Sequence, residues 1–127
     1  MINTVALIDD DEVHLMLYER VLKKSALVEN LLKFNRAEDA LTYLEDAQSS
    51  RIDIIFLDIN MPRMDGFGFL KAATETLGNN FADAVVVMLT TSLDPTDRKK
   101  AESFEAVKAF LNKPLTEETL QDIVKLI

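Results

Sequence analysis

Four short apolar stretches, each ending abruptly on a side chain capable of chemistry, restrict this chain more than any other feature. The clearest is Ile54-Ile55-Phe56-Leu57, which stops at Asp58 and is followed by Pro62 and Gly66. A run so short and so rich in β-formers reads as a strand buried on both faces, with Asp58 at its carboxyl end. Val5-Ala6-Leu7-Ile8 leads likewise into Asp9-Asp10-Asp11-Glu12, and Ala84-Val85-Val86-Val87-Met88-Leu89 into Thr90-Thr91-Ser92. The fourth run, Val107-Lys108-Ala109-Phe110-Leu111-Asn112, leads into Lys113-Pro114. In open α/β sheets ligands bind outside the carboxyl ends of the strands. Acids, hydroxyls and a lysine are therefore expected along one edge.

Helical patterns separate the strands. Strands are expected at about Thr4–Ile8, Leu31–Phe34, Ile52–Leu57, Ala84–Leu89 and Val107–Leu111. The first helix runs from about Asp11 to Lys24, with Val13, Met16, Leu17 and Val21 on one side and acids in its first turn, where the helix dipole favours them. Ala37, Ala40, Leu41 and Leu44 mark a second helix, and Leu70, Ala73 and Leu77 a third that begins near Gly66. Pro95 opens a fourth. Thr116 caps the last, where Leu120, Ile123, Val124 and Ile127 fall at helical spacing. Parallel strands need crossovers and helices must cover both faces of the sheet, so a single doubly wound α/β domain with five parallel strands and five helices is predicted.

At 127 residues the chain has the size of one domain. No apolar stretch approaches the roughly 18 residues of a membrane helix, so membrane insertion is not expected. The absence of cysteine excludes disulfides and thiolate metal sites and fits a cytoplasmic setting. A net charge of −8 argues against direct nucleic-acid binding, which needs clustered cations. Arg98-Lys99-Lys100 is the densest basic patch and reads as a solvated helix face. His14, the single histidine, is expected to lie exposed on the first helix. No output domain is visible.

In its order and spacing the chain resembles the receiver domain of bacterial two-component response regulators, over essentially residues 1–127. The residues that carry the resemblance are Asp9-Asp10, Asp58 within Leu57-Asp58-Ile59-Asn60-Met61-Pro62, Thr90 lying 32 residues beyond Asp58, and Lys113-Pro114, with Lys113 another 23 residues on. The resemblance implies a flavodoxin-like fold with strand order 2-1-3-4-5. It implies that Asp58 accepts a phosphoryl group from a histidine kinase or histidine phosphotransfer protein. Mg²⁺, with Mn²⁺ as a substitute, would be held by Asp9, Asp10, Asp58 and the backbone carbonyl of Asn60. Thr90 and Lys113 would contact the phosphoryl group, and Thr90 and Phe110 would form the switch. The implied role is that of a stand-alone, chemotaxis-regulator-like phosphoacceptor rather than an enzyme, which signals through its protein-binding surface. Ser92, two residues beyond Thr90, carries neither acid nor amide, and slow self-dephosphorylation is expected.

These residue types suit that chemistry. A carboxylate can form an acyl phosphate once its charge is managed. Two like charges about 4 Å apart repel by about 4 kcal/mol at an effective dielectric of 20, and a divalent cation turns that repulsion into a binding site. Rival readings fail on particular positions. A haloacid-dehalogenase-type phosphatase expects an aspartate two residues after the nucleophile and a threonine two further on, where Asn60 and Pro62 stand. An EF-hand counted from Asp58 would place Pro62, Arg63 and Phe69 at positions that need a ligand, a glycine and a glutamate. A nucleotide-binding module lacks any Gly-rich phosphate loop. A receiver that has lost phosphorylation and serves as a scaffold would not need the full set of polar side chains.

Overall fold

The computed structural model describes residues 2–46, 51–78, 84–91 and 94–125. Strands and helices alternate throughout: β1 (Ile2–Ile8), α1 (Glu12–Ser25), β2 (Val28–Phe34), α2 (Ala37–Glu45), β3 (Ile54–Asp58), α3 (Gly66–Leu77), β4 (Val85–Thr90), α4 (Pro95–Glu102), β5 (Val107–Asn112) and α5 (Glu117–Val124). The five strands form one parallel sheet in the order β2-β1-β3-β4-β5. Fold class and strand order are those the sequence led us to expect. Ile127 and Ser92, considered in the sequence, lie outside the described residues.

Alternation along the strands divides the core in two. Val5 and Leu7 of β1, Ile54 and Phe56 of β3, and Val87 and Leu89 of β4 join Leu15, Tyr18 and Leu22 of α1 and Leu120 and Ile123 of α5. Ala6, Ile8, Ile55, Leu57, Val86 and Met88 face the other way, against Ala37 and Ala40 of α2, Phe69, Leu70 and Ala73 of α3, and Ala101 of α4. Side chains two apart share a face, so near-continuous apolar strands need helices on both sides.

Helix α1 corrects the sequence reading. Of its expected apolar side, Val13 is 57%, Met16 46% and Leu17 41% exposed, and only Val21 packs on the core. The buried side is Leu15, Tyr18 and Leu22. Both sets have helical spacing, and Tyr18 decides between them because its hydroxyl has a buried partner near the sheet edge. Helices α2, α3 and α5 bury or half-bury the predicted sides among their described residues.

Chain ends of the helices are set locally. The Asp11 carboxylate accepts from the Val13 and His14 amides at 2.9 and 3.3 Å, which makes it the α1 cap and leaves Asp9-Asp10 as the acidic pair. Asp65, Asp94 and Thr116 cap α3, α4 and α5.

Candidate functional site

The β1–β3 ladder ends with Ile8 opposite Leu57, and Asp9 and Asp58 follow directly, with carboxylate oxygens close together. Both follow the parity of Leu7 and Phe56, so both belong to the sheet face covered by α1 and α5. The strand order reverses between β1 and β3, where a crevice opens in such sheets. Gly66 lets α3 start close behind. A Cβ at that position would lie 2.5 Å from the Asp58 carbonyl oxygen and 3.1 Å from Ile59 Cα. The Gly66 amide donates to the Ile59 carbonyl at 2.8 Å.

Asp9 is 1% and Asp58 5% exposed, whereas Asp10 faces solvent. Oxygens from these three carboxylates all lie within 4.8 Å of one another. The Lys113 ammonium stands among them, 2.9 Å from Asp9 Oδ2 and 3.1 Å from Asp58 Oδ1. Its backbone amide donates to the Thr90 carbonyl at 2.9 Å, and the Lys113–Pro114 peptide is cis. Asp9 also accepts from the Asp11 amide at 2.9 Å and from the Tyr18 hydroxyl at 3.3 Å.

Burial, reinforced by the negative charge of Asp9, pushes the Asp58 carboxyl up to about 6, and Lys113 only partly opposes this. Burial alone would lower the Lys113 pKa, but its bond to Asp9 and the charges of Asp58 and Asp9 outweigh that and hold it above the usual lysine range. Burial, with Asp9 alongside, drives the Tyr18 phenol far above its ordinary range, so it stays a neutral donor. One ammonium therefore does not neutralise the pocket. Three carboxylates offer hard oxygen donors of the kind small divalent cations take, and the excess negative charge is what such a cation would relieve.

Asn60 is exposed and lines the same pocket, beside the three acids and Lys113. Thr91 also lines it, whereas Thr90 is fully buried at the end of β4. Thr90 shares the parity of Val86 and Met88, and Phe110 pairs with Met88, so Thr90 and Phe110 belong to the opposite sheet face. Phe110 is half-buried, with the Arg98 guanidinium 5.0 Å over its ring. Arg98, Lys99 and Lys100 are exposed as expected, and Lys100 covers Phe67 at 4.7 Å.

His14 is a second correction. Its side chain is 34% exposed and turned inward, with Nδ1 3.0 Å from Lys113 Nζ and 3.5 Å from Asp9 Oδ2. Sequence reasoning also missed Tyr18. Their four-residue spacing from a position just after the acidic pair was the available sign, since it places both on one helix side.

A doubly wound sheet carrying buried acids and a lysine at its reversal point defines a class of α/β proteins whose ligand crevice lies at the carboxyl ends of the strands. Within that class, the sequence pattern described as the response regulator receiver domain matches residues 5–125, and this chain belongs to that family. Its members are phosphoacceptor signalling domains of two-component systems. A two-component response regulator from Cytophaga hutchinsonii superposes with a TM-score of 0.92 at 29% identity, covering 98% of this chain and 96% of that one. The chemotaxis protein CheY4 of Vibrio cholerae gives 0.81 at 28% identity, covering 100% and 99%. The two-component response regulator ARR2 of Arabidopsis thaliana is 34% identical over 119 residues, which is 94% of this chain and 17% of that protein. The chain spans less than a fifth of the length of the first curated relatives it matches. No helix among the described residues is long and apolar enough to cross a membrane.

Proposed function

We propose that the protein is a response regulator that takes a phosphoryl group onto Asp58 from a phosphohistidine in a histidine kinase or histidine phosphotransfer protein. An Asp58 carboxylate oxygen attacks the phosphorus, the P–N bond breaks, and the departing imidazole keeps the electron pair and takes up a proton. The product is an aspartyl phosphate. One observation carries this reading: a buried carboxylate at the sheet's reversal point, 3.1 Å from a half-buried ammonium and grouped with two more carboxylates.

Asp9, Asp10, Asp58 and the Asn60 carbonyl would hold Mg²⁺, or Mn²⁺ in its place, because hard oxygen donors suit either ion. Bound there, the ion would offset negative charge on the phosphoryl oxygens. Lys113 acts as a point charge on a phosphoryl oxygen and releases its bond to Asp58 as that carboxylate is consumed. Thr90 supplies a hydroxyl donor after turning from the far side of the sheet toward the new group. Phe110 fills the space that Thr90 leaves, which remodels the face formed by α4, β5 and α5. That face passes the message to a protein target.

Incubation with a small phosphodonor and Mg²⁺, followed by mass-spectrometric mapping, tests the assignment. An adduct of one phosphoryl group on Asp58 is expected, with none on the Asp58→Asn protein. Modification that persists in this variant refutes the site.

A further inference from the structure

We propose that His14 is a positioning residue for phosphoryl transfer, which it serves by accepting a hydrogen bond from the Lys113 ammonium through Nδ1. The inference rests on the reading of Asp58 as phosphoacceptor and adds a residue on α1 to that site.

An ammonium has three protons to donate. Lys113 Nζ has three acceptors in reach: Asp9 Oδ2 at 2.9 Å, Asp58 Oδ1 at 3.1 Å and His14 Nδ1 at 3.0 Å. Lysine carries only donors, so Nδ1 must present its lone pair and the ring proton sits on Nε2. That nitrogen faces Asp11 Oδ2 at 3.6 Å. That separation is longer than a hydrogen bond, so the ring is held chiefly through Nδ1 and in turn orients the lysine. The Tyr18 ring supports the imidazole from the next turn of α1, with centroids 6.2 Å apart.

Of the three acceptors, two are carboxylates that the reaction engages. Asp58 becomes an acyl phosphate, and Asp9 belongs to the acidic cluster. His14 is not a carboxylate, comes from a different element, and is altered by neither event. When Asp58 Oδ1 ceases to be a charged acceptor, one Lys113 proton turns to a phosphoryl oxygen while Asp9 and His14 retain the other two. The ammonium then needs little displacement as charge develops on the phosphoryl group, and donors already in place stabilise such charge most effectively. Without His14 the third proton goes to water and the flexible lysine stem loses an anchor.

Two measurements test this. In the resting protein, long-range ¹H–¹⁵N spectra are expected to show His14 as the Nε2–H tautomer, with Nδ1 unprotonated and accepting. An Nδ1–H tautomer overturns the proposal without any phosphorylation being needed. The second measurement follows phosphorylation by phosphoramidate at saturating Mg²⁺. His14→Ala and His14→Phe are expected to slow the limiting rate about ten- to a hundredfold, the range of one hydrogen bond with a charged partner. His14→Asn, whose amide oxygen can take the place of Nδ1, should recover most of the rate. A Phe variant as fast as the wild type shows that ring packing alone suffices, and an Asn variant as slow as Phe shows that the acceptor is irrelevant. Either result overturns the proposal. If wild-type protein takes no phosphoryl group at all, the parent reading falls and the role of His14 in transfer falls with it.

Discussion

At the scale of single residues, Asp58 concentrates the physics of the site. Its folded-state pKa of about 6 lies above the ordinary 3.8. Between those values the folded protein holds more protons than the unfolded chain, so this group's contribution to stability falls as pH rises through that window. Asp58→Asn removes the buried charge. In the absence of metal, the variant is expected to melt above the wild type at pH 7.5, by the equivalent of up to about 2 kcal/mol, with the gain vanishing near pH 4. Melting curves in a chelator at the two pH values check this, and a pH-independent difference would contradict it. Gly66 makes a different prediction. Its missing Cβ would meet Asp58 and Ile59 backbone at 2.5 and 3.1 Å, and backbone yields less easily than a flexible side chain. Gly66→Ala should cost about 1–3 kcal/mol in urea unfolding. A neutral result would show that the start of α3 can move away from the site.

At the scale of elements, α1 shows why an amphipathic pattern can be legible yet ambiguous. Val13, Met16, Leu17 and Val21 have the spacing of a buried side, and so do Leu15, Tyr18 and Leu22. Periodicity fixes that α1 is a helix and cannot rank two apolar sides a fraction of a turn apart. Docking against β1 and α5 chose the second set, where the Tyr18 hydroxyl reaches Asp9 and the two leucines meet the sheet. Leu15→Ala is accordingly expected to cost about 2–5 kcal/mol, and Leu17→Ala within about 0.5 kcal/mol of nothing. Chemical denaturation of both variants decides between the two sides. The strands were easier to read, because apolar runs that end on polar residues locate strand and edge together. For β5 the run marked the strand but not its irregularity: the pairing with β4 shifts between Val86 and Val87, and that shift depends on both strands at once.

For the whole molecule, the sheet divides the site's parts between two sides. Asp9, Asp58 and Lys113 meet on the α1–α5 side, while Thr90 and Phe110 lie on the other. On the proposed function, a message from Asp58 crosses the sheet through the end of β4, where the Thr90 carbonyl already holds the Lys113 amide. The Arg98 guanidinium over Phe110 lies on that second side, and a cation–π contact at an exposed position is worth about 0.5–1 kcal/mol. Addition of beryllofluoride and Mg²⁺ is expected to shift the backbone amide resonances of Thr90, Arg98 and Phe110 in ¹⁵N NMR spectra. Unchanged resonances at Phe110 and Arg98, with the adduct formed on Asp58, would rule out the proposed switch. Driving such an equilibrium from 1:99 to 99:1 takes about 5.5 kcal/mol of differential interaction. Charge-assisted bonds from Thr90 and Lys113 to phosphoryl oxygens, at about 1.5–3 kcal/mol each, are of the right size.

The sequence by itself determined the alternating fold, the strand ends and the acids and lysine gathered there, because strand burial and helix capping are written in neighbouring residues. It could not determine which side of α1 is buried, that Thr90 and Thr91 present to different surroundings, or that His14 and Tyr18 turn toward Lys113 and Asp9. Those outcomes depend on how separate elements pack. The Lys113–His14 contact joins residues 99 positions apart, and no local pattern encodes a distance of that kind.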